Sequence, residues 1–444
     1  MTTEKKALRK KLSKTTIWRK PWVYLVILVG VILLLVGLYQ IPAVNAKAYY
    51  YVSSAWADVF YFFKPPAQVV FNPVQQGTLE VKVAQTLTAM APTPTQTPTP
   101  LPITEHTATP TLTPAPTMTP TPIPNQVKIE GVVWEKQGFN NCGPANLAMA
   151  LSFWGHKVTQ QDTEAVIKPR KEDRNVMPYE MLDYVLNYTP LNGIIRYGGN
   201  LELAKEFIAA GFPVLIERGY MSYTQGWMGH YGLLYAYDDE KQEFRIPDSY
   251  LGEIKMSYED VDLYWSHFDY IYLIIYPPER EMEVFNILGP NLDEGYNLLI
   301  GLEQVSNRIY TTQGREQFFA WYSRGSILVE MKDYYGASLA YDEAFKVYAT
   351  LEESERPWRM LWYQTGPYFA YFYSGRYQDT LNLAQQTLDK SVEAAIPETW
   401  IWAGRASKML GNRDKAIFYF RRALDWHPNW WVAEDELRAL GEKP

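Results

Sequence analysis

The chain has 444 residues, of which 47% are apolar and 15% aromatic, so it can supply the cores of two or three domains. Its single cysteine excludes an internal disulfide framework and a zinc site made of several thiolates. The net charge of −7 makes the chain a poor general binder of nucleic acid, which attracts basic surfaces.

The N-terminus combines a basic tail with an apolar run. Residues 22–41 are uncharged and rich in Val, Ile and Leu, and as a helix they could cross a hydrocarbon core of about 30 Å. Because basic residues stay on the cytoplasmic side, we predict a single-pass membrane protein with a cytoplasmic N-terminus and extracellular C-terminal domains. A cleaved signal peptide ending near Val44-Asn45-Ala46 is the alternative. The tail, residues 1–21, has one acidic residue, Glu4, and these basic residues: Lys5, Lys6, Arg9, Lys10, Lys11, Lys14, Arg19 and Lys20.

Two segments separate this run from the first folded domain. Residues 42–90 are rich in aromatic side chains, and we expect a membrane-proximal segment there, with a small packed segment as the alternative. Residues 91–124 consist largely of Pro and Thr and cannot bury a core. We predict an extended linker of roughly 100 Å, at about 3.1 Å per residue, that acts as a spacer through a cell-wall layer. Its Thr hydroxyls could carry O-linked sugars.

Residues 126–278 have the pattern of a mixed α/β domain. Apolar periodicity predicts helices at 143–154, 160–167, 178–187 and 200–210. Runs rich in Val, Ile, Leu and Tyr predict strands at 193–198, 213–218, 230–237 and 270–276. Because the helices come first and the strands later, the order favours an α+β fold over a doubly wound parallel sheet.

Residues 285–444 change to helices only. Two copies of one pattern begin at Trp321 and Trp400, each with Gly at +4, Ala at +16, an aromatic residue at +20 and Ala at +23. A degenerate copy around Tyr368 lies between them, and residues 430–440 would form a capping helix. The pattern resembles the tetratricopeptide repeat, which implies a groove for a protein or peptide partner. An ordinary helical bundle is the alternative.

The stretch Gln137-Gly-Phe-Asn-Asn-Cys142-Gly-Pro-Ala contains the one cysteine of the sequence. An apolar helical pattern follows it, so the thiol would lie at a helix N-terminus, where the macrodipole favours thiolate. Gln137 could offer an amide donor beside it. A nucleophile, an activating field and an oxyanion donor are typical of a cysteine hydrolase. A small buried core cysteine is the alternative interpretation.

A cysteine nucleophile needs a base, and the chain has five histidines. His230 is the best candidate because it opens the predicted strand 230–237. Asp248 follows eighteen residues later, and a turn at 238–241 with a return strand at 242–247 would bring it beside His230 as an orienting acid. Asp248 as a simple turn residue is the alternative. The other histidines lie in less suitable contexts: His106, His156, His267 and His427.

The order Gln, Cys-Gly-Pro, Gly-His-Tyr and Pro-Asp resembles the bacteriocin-processing (double-glycine-type) cysteine peptidases of the papain-like superfamily. The resemblance implies that Cys142 is the nucleophile, His230 the general base, Asp248 the orienting acid and Gln137 the oxyanion donor. Gln137 lies five residues before Cys142, whereas the transporter-linked members usually have six. The Asn140-Asn141 pair could therefore supply the amide instead. No ATP-binding cassette follows, so cleavage after a double glycine does not transfer.

Together these patterns predict a membrane-anchored extracytoplasmic cysteine peptidase with a repeat region that binds a protein or peptide. Trp227 and Met228 directly precede His230, and we predict that they line the substrate cleft, with a core role as the alternative. The sequence has no His-Glu-x-x-His motif or cysteine cluster, so we expect no metal and no cofactor. A catalytically idle peptide receptor and a cell-wall peptide amidase are the alternative functions.

Overall fold

The computed structural model of the chain describes residues 21–39, 42–63, 70–74, 123–222, 225–391 and 394–444. These residues fall into two compact units, Met1–Pro65 and Pro66–Pro444. The predicted basic tail, apart from its last residue, and nearly all of the Pro/Thr linker lie outside the described residues.

The described part of the first unit consists of two helices, α1 (Pro21–Tyr39) and α2 (Pro42–Phe63). Helix α1 forms where the sequence predicts one. No helix among the described residues has both the length and the apolar character that a membrane crossing requires. The predicted transmembrane role of residues 22–41 is therefore not supported by the structure.

Residues 123–276 contain both helices and strands, as the mixed pattern of the sequence predicts. The helices are α3 (Cys142–Phe153), α4 (Gln160–Ile167), α5 (Pro178–Tyr188), α6 (Leu201–Ala209) and α7 (Tyr258–Trp265). The strands are β1 (Gln126–Lys128), β2 (Asn192–Arg196), β3 (Val214–Ser222), β4 (Gly226–Leu234), β5 (Ala236–Asp238), β6 (Glu243–Asp248), β7 (Gly252–Ser257) and β8 (Tyr272–Tyr276).

The strands form two four-stranded sheets, in the orders β2-β8-β3-β4 and β1-β5-β6-β7. Every pairing is antiparallel, which confirms the α+β class. Alternate residues of the first sheet point to opposite faces, and both faces are covered by other parts of the chain. One face packs on α3 and α5 through residues such as Leu147, Val185, Leu215, Leu233 and Leu273. The other face joins a second core that includes Phe207, Ile216, Phe244, Ile246 and Ile274.

The predicted strand over 230–237 is two strands in the structure. The chain passes from the first sheet to the second at Tyr235, whose carbonyl accepts a hydrogen bond from the Ile129 N–H at 2.9 Å. Strand β5 then pairs with β6, with Ala236 opposite Arg245. This change of sheet carries the chain from His230 to the hairpin that ends at Asp248, so it positions the candidate site.

The rest of the second unit is helical. The glycines of the repeat pattern lie where two helices approach closely, because a Cβ atom at Gly325 would lie 2.7 Å from the ring of Tyr341. A Cβ atom at Gly404 would lie even closer to the ring of Phe420. The helices are α8 (Glu281–Leu288), α9 (Glu294–Thr311), α10 (Gly314–Glu330), α11 (Tyr334–Thr350), α12 (Met360–Tyr363), α13 (Gly366–Tyr373), α14 (Tyr377–Lys390), α15 (Pro397–Met409), α16 (Arg413–Trp426) and the predicted capping helix α17 (Trp431–Ala439).

Candidate active site

Cys142 is the first residue of α3 and is half-buried. Its N–H belongs to the first turn, where helix donors have no partner within the helix. The loop before it is fixed by a buried lysine, because Lys168 Nζ donates to the Asn140 carbonyl oxygen at 2.8 Å. Asn140 itself adopts a left-handed backbone conformation with φ of 51°. The nucleophile candidate is therefore presented by a rigid turn at a helix N-terminus.

His230 lies on β4, with 7% of its surface exposed. Its Nε2 atom is 2.9 Å from Oδ2 of Asp248, the last residue of β6. This contact occupies one ring nitrogen and leaves Nδ1 for the Cys142 thiol, with which the ring is hydrogen-bonded. The structure therefore brings together the three residues that the sequence predicts as nucleophile, base and orienting acid.

Asp248 is fully buried and surrounded by donors. Arg218 Nη2 donates to the same Oδ2 atom at 2.8 Å, while the N–H groups of Tyr250 and Leu251 donate to Oδ1 at 2.8 and 2.9 Å. Burial alone would raise the pKa of Asp248, but the positive charges of His230 and Arg218 outweigh it and lower that pKa. The carboxylate therefore stays ionised and holds the imidazole in one orientation.

The charges of the site favour an ion pair between Cys142 and His230. Burial opposes the imidazolium, yet the carboxylate of Asp248 and the contact with Cys142 raise the pKa of His230 to about 9. Burial also opposes the thiolate, but the hydrogen bond and charge of His230 lower the pKa of Cys142. Both shifts act in the direction of a thiolate and an imidazolium, the state that a cysteine nucleophile needs.

Gln137 is held by Ser249, the residue after Asp248. Ser249 Oγ donates to Gln137 Oε1 at 2.7 Å, and the Gln137 N–H donates to the Ser249 carbonyl oxygen at 2.8 Å. Asn146 Nδ2 in turn donates to Ser249 Oγ at 3.2 Å and to the Cys142 carbonyl oxygen at 2.9 Å. Because the Gln137 oxygen is engaged, its NH₂ group remains as the donor that an oxyanion would use.

The alternative oxyanion donors, Asn140 and Asn141, differ from each other. Asn141 Nδ2 donates to Gln160 Oε1 at 2.9 Å, so α4 holds this amide. Asn140 Nδ2 is buried without a hydrogen-bond partner among the described residues. Asn140 therefore stays open as an alternative donor, whereas Asn141 has a structural role.

The prediction that Trp227 lines the cleft is wrong. Trp227 is 3% exposed, and its ring lies 5.8 Å from that of Phe268 and 5.1 Å from that of Phe319 on α10. Its Nε1 donates to His267 Nδ1 at 3.1 Å. Trp227 thus joins the sheet to the helical region. Met228 is half-buried and precedes His230 by two residues on the same face of β4, so its role as a cleft residue stays a prediction.

Four polar residues of the site were not predicted from the sequence: Arg218, Ser249, Asn146 and Lys168. Arg218 left a signal, since it lies in a largely apolar stretch of the sequence, whereas Lys168 begins a charged stretch and left none. Both are almost completely buried, and a buried charge needs a partner. Ser249 and Asn146 left no such signal, because short polar side chains are common in loops and helices.

A cavity of about 520 Å³ lies between the sheet and the helical region. Its walls include buried carboxyl groups of Glu217 on β3 and Asp269, and the aromatic rings of Tyr363 and Trp402. Burial raises the pKa of Glu217 well above its ordinary range and that of Asp269 to about 8. Among the described residues, no group of His, Cys, Asp and Glu side chains is arranged to hold a metal ion.

Comparison with protein families agrees with both resemblances. Residues 121–276 match the model described as Peptidase_C39 like family, and residues 397–429 match the model described as Tetratricopeptide repeat. The chain therefore contains a C39-peptidase-like domain followed by a helical region with a tetratricopeptide repeat. Comparison with curated proteins gives no match.

Three solved structures are similar to about a third of the chain. A putative C39-like peptidase from Bacillus anthracis is 16% identical, covering 34% of this chain and 96% of that one, with a TM-score of 0.28. A double glycine motif protease from an AMS/PCAT transporter, in complex with the leader peptide, is 21% identical, covering 34% and 98%, with a TM-score of 0.26. The peptidase domain of Streptococcus ComA, a bi-functional ABC transporter involved in quorum sensing, is 15% identical, covering 33% and 98%, with a TM-score of 0.27.

Proposed function

We propose that the chain is an active cysteine peptidase that hydrolyses peptide bonds with Cys142, His230 and Asp248. The observation that carries the proposal is the 2.9 Å contact between His230 Nε2 and Asp248, which leaves Nδ1 of the same ring for the Cys142 thiol. A core cysteine would need neither a buried histidine beside it nor a buried carboxylate behind that histidine. The arrangement matches the order nucleophile, base and orienting acid that such hydrolases use.

In the acylation step, the Cys142 thiolate attacks the carbonyl carbon of the peptide bond. The Gln137 NH₂ group and the Cys142 N–H stabilise the negative charge that develops on the carbonyl oxygen. The C–N bond then breaks, and the His230 imidazolium gives its proton to the leaving amine. The products of this step are a thioester on Cys142, a free amine and a neutral His230.

In the deacylation step, neutral His230 takes a proton from water, and the resulting hydroxide attacks the thioester carbonyl. The tetrahedral intermediate collapses, the C–S bond breaks, and the carboxylic acid leaves. Cys142 returns as thiolate and His230 as imidazolium, so the ion pair of the resting site is restored. Asp248 keeps the ring oriented through both steps.

The chain offers a direct test because Cys142 is the single cysteine in the sequence. A thiol-directed peptide probe at pH 6 should label the wild-type protein once and should not label Cys142→Ala. In a digest of a peptide library, the wild type should produce new termini that the Cys142→Ala protein does not produce. Identical digests from both proteins, with labelling intact, would instead favour the idle receptor.

A matched histidine pair controls for nonspecific effects. His230→Gln should abolish turnover and slow labelling at pH 6, because the thiolate loses its counter-ion. His156→Gln changes a histidine beyond the C-terminal end of α3 and should leave both measurements unchanged. Purified wall peptides, included beside ordinary polypeptides in the digest, would separate a protein peptidase from a cell-wall amidase.

We further propose that the helical region recruits a protein or peptide partner and that the enzyme works outside the cytoplasm. The first part rests on the tetratricopeptide match, since such repeats bind peptides and helices. The second part rests on the sequence, namely the basic tail and the apolar run after it. Protease treatment of intact cells tests the location: loss of the chain supports it, and full protection together with recovery in the cytosolic fraction contradicts it.

A further inference from the structure

Residues 70–74 precede the C39-peptidase-like domain by about fifty positions, yet they pack on the helical region. Phe71 is only 3% exposed. Its ring meets Phe345 of α11 edge-on, with the centroids 5.0 Å apart, and lies 5.8 Å from Tyr371 of α13. An aromatic side chain from a short segment that forms neither helix nor strand is thus inserted between repeat helices.

Phe71 is buried among aromatic and apolar side chains of the repeats, and its ring forms part of the wall of a small cavity of about 30 Å³. The other walls of this cavity come from several helices of the repeats and their connections, and include Phe318, Tyr322, Tyr348, Met360 and Leu383. A ring that is buried in this way is the typical anchor of a peptide ligand.

A backbone hydrogen bond also orients the residues that follow Phe71 on the repeats. The N–H of Val74 donates to Asp379 Oδ1 at 2.8 Å. The other oxygen of Asp379 accepts a hydrogen bond from Arg376 Nε at 2.9 Å, and Arg376 is held in place by Asp342. A hydrogen bond to an oriented carboxylate is stronger than one between neutral groups. The Val74 side chain is 69% exposed, so recognition uses its backbone and not its side chain.

We propose that residues 70–74 are a built-in ligand of the helical repeats. The site that they occupy accepts an extended peptide with an aromatic anchor. Three residues after the anchor, the peptide has a backbone N–H that can donate to the repeats. This inference deepens the proposed partner binding and does not depend on catalysis. An external peptide that uses the same site must displace Phe71. Binding of Phe71 is favoured in this competition because it is attached to the same chain as the site.

The proposal changes the expected role of the Pro/Thr linker. Residues 70–74 and the chain from Ile123 onward belong to the same compact unit, Pro66–Pro444. The intervening stretch therefore connects two points of one unit while Phe71 is docked. While Phe71 is docked, the length of this stretch does not determine how far the peptidase domain can lie from residues 70–74. This differs from the spacer role that its composition predicts.

Hydrogen exchange of the full chain tests the docking directly. The amide of Val74, which donates to Asp379, should be protected in the wild type and should lose that protection in Phe71→Ala. Val74→Ala is the matched control, because it keeps the N–H and removes only an exposed side chain, so its protection should equal that of the wild type. Exchange in the wild type as fast as in Phe71→Ala would overturn the proposal.

A peptide titration tests the ligand class and avoids any question of misfolding. A blocked pentapeptide, Val-Phe-Asn-Pro-Val, should bind saturably to the Phe71→Ala protein, while the same peptide with Ala in place of Phe should not. Saturable binding of both peptides, or of neither, would overturn the aromatic-anchor rule. Labelling of Cys142 should be equal in wild type and Phe71→Ala, so failure of the docking proposal is distinguishable from failure of the proposed peptidase.

Discussion

The hydroxyl of Ser249 donates to the amide oxygen of Gln137 at 2.7 Å, and this single bond fixes which end of the amide can meet a substrate. With its oxygen engaged, Gln137 can present only its NH₂ group to an oxyanion. Ser249 directly follows Asp248 in the sequence, so neighbouring residues hold Gln137 and His230. One turn after β6 thus orients both the base and the oxyanion donor.

We predict that Gln137→Ala lowers kcat by about 10²–10³-fold, the usual cost of one lost oxyanion donor. Ser249→Ala should lower kcat by less, because the amide remains but is no longer oriented. Initial rates with a peptide from the library digest measure both effects. The alkylation rate of Cys142 is the control and should not change in either variant. A Ser249→Ala protein with full kcat would contradict the orienting role.

The buried pair of Arg218 and Asp248 predicts a stability effect. Arg218 is 2% exposed and Asp248 fully buried, so Arg218→Met leaves a buried carboxylate with one partner fewer. Removal of one member of such a pair costs about 3–5 kcal/mol in the free energy of unfolding. Urea unfolding measures the loss.

A double variant separates charge from packing at this pair. In Arg218→Met/Asp248→Asn no unpaired charge is buried, so part of the lost stability should return. The double variant is therefore expected to be more stable than the sum of the two single changes. Simple additivity would show that the two side chains contribute independently.

The Cys142–His230 ion pair predicts a bell-shaped pH dependence of kcat/KM. Activity should rise as Cys142 ionises, at a pH below the ordinary thiol range, and fall as His230 loses its proton near its pKa of about 9. Asp248→Asn removes the negative charge that raises the pKa of His230, so the alkaline limb should move to lower pH. The pH profiles of the two proteins check this, and an unmoved alkaline limb in Asp248→Asn would contradict it.

The sequence predicted the fold and the central triad because both depend on local patterns. The apolar helix after Cys142 and the hairpin between His230 and Asp248 each lie within one short stretch, and period and turn chemistry determine such units. The partners of these residues come from elsewhere in the chain. Arg218 reaches Asp248 across two sheets, and a single sequence carries no signal for that pairing.

The position of Trp227 shows a second limit. An aromatic residue beside a catalytic histidine is equally suited to a cleft and to a buried contact, and the choice depends on what covers the sheet. Here Phe319 of the helical region covers it, and that region begins many residues later in the chain. The same long-range packing places Phe71 on the repeats, where the composition of its neighbourhood indicates only a membrane-proximal segment.

Asp269 in the wall of the 520 Å³ cavity predicts how stability varies with pH. Burial raises its folded pKa to about 8, whereas an unfolded aspartate titrates near ~3.9. Between these two values the folded state holds a proton that the unfolded state releases, so this group makes the free energy of unfolding fall as pH rises. Asp269→Asn removes that titration, and Asn also tolerates the left-handed backbone at this position, with φ of 57°.

The expected outcome is that Asp269→Asn gains stability relative to the wild type as pH is raised from 5 to 8. Urea unfolding of both proteins at the two pH values measures the difference in the free energy of unfolding. This direction of the pH effect distinguishes Asp269 from a carboxylate that is stabilised as an anion. Asp248 is such a carboxylate: its lowered pKa adds stability above the unfolded pKa, and that stability is lost in acid. An equal difference at pH 5 and pH 8 would mean that Asp269 is ionised in the folded protein throughout this range.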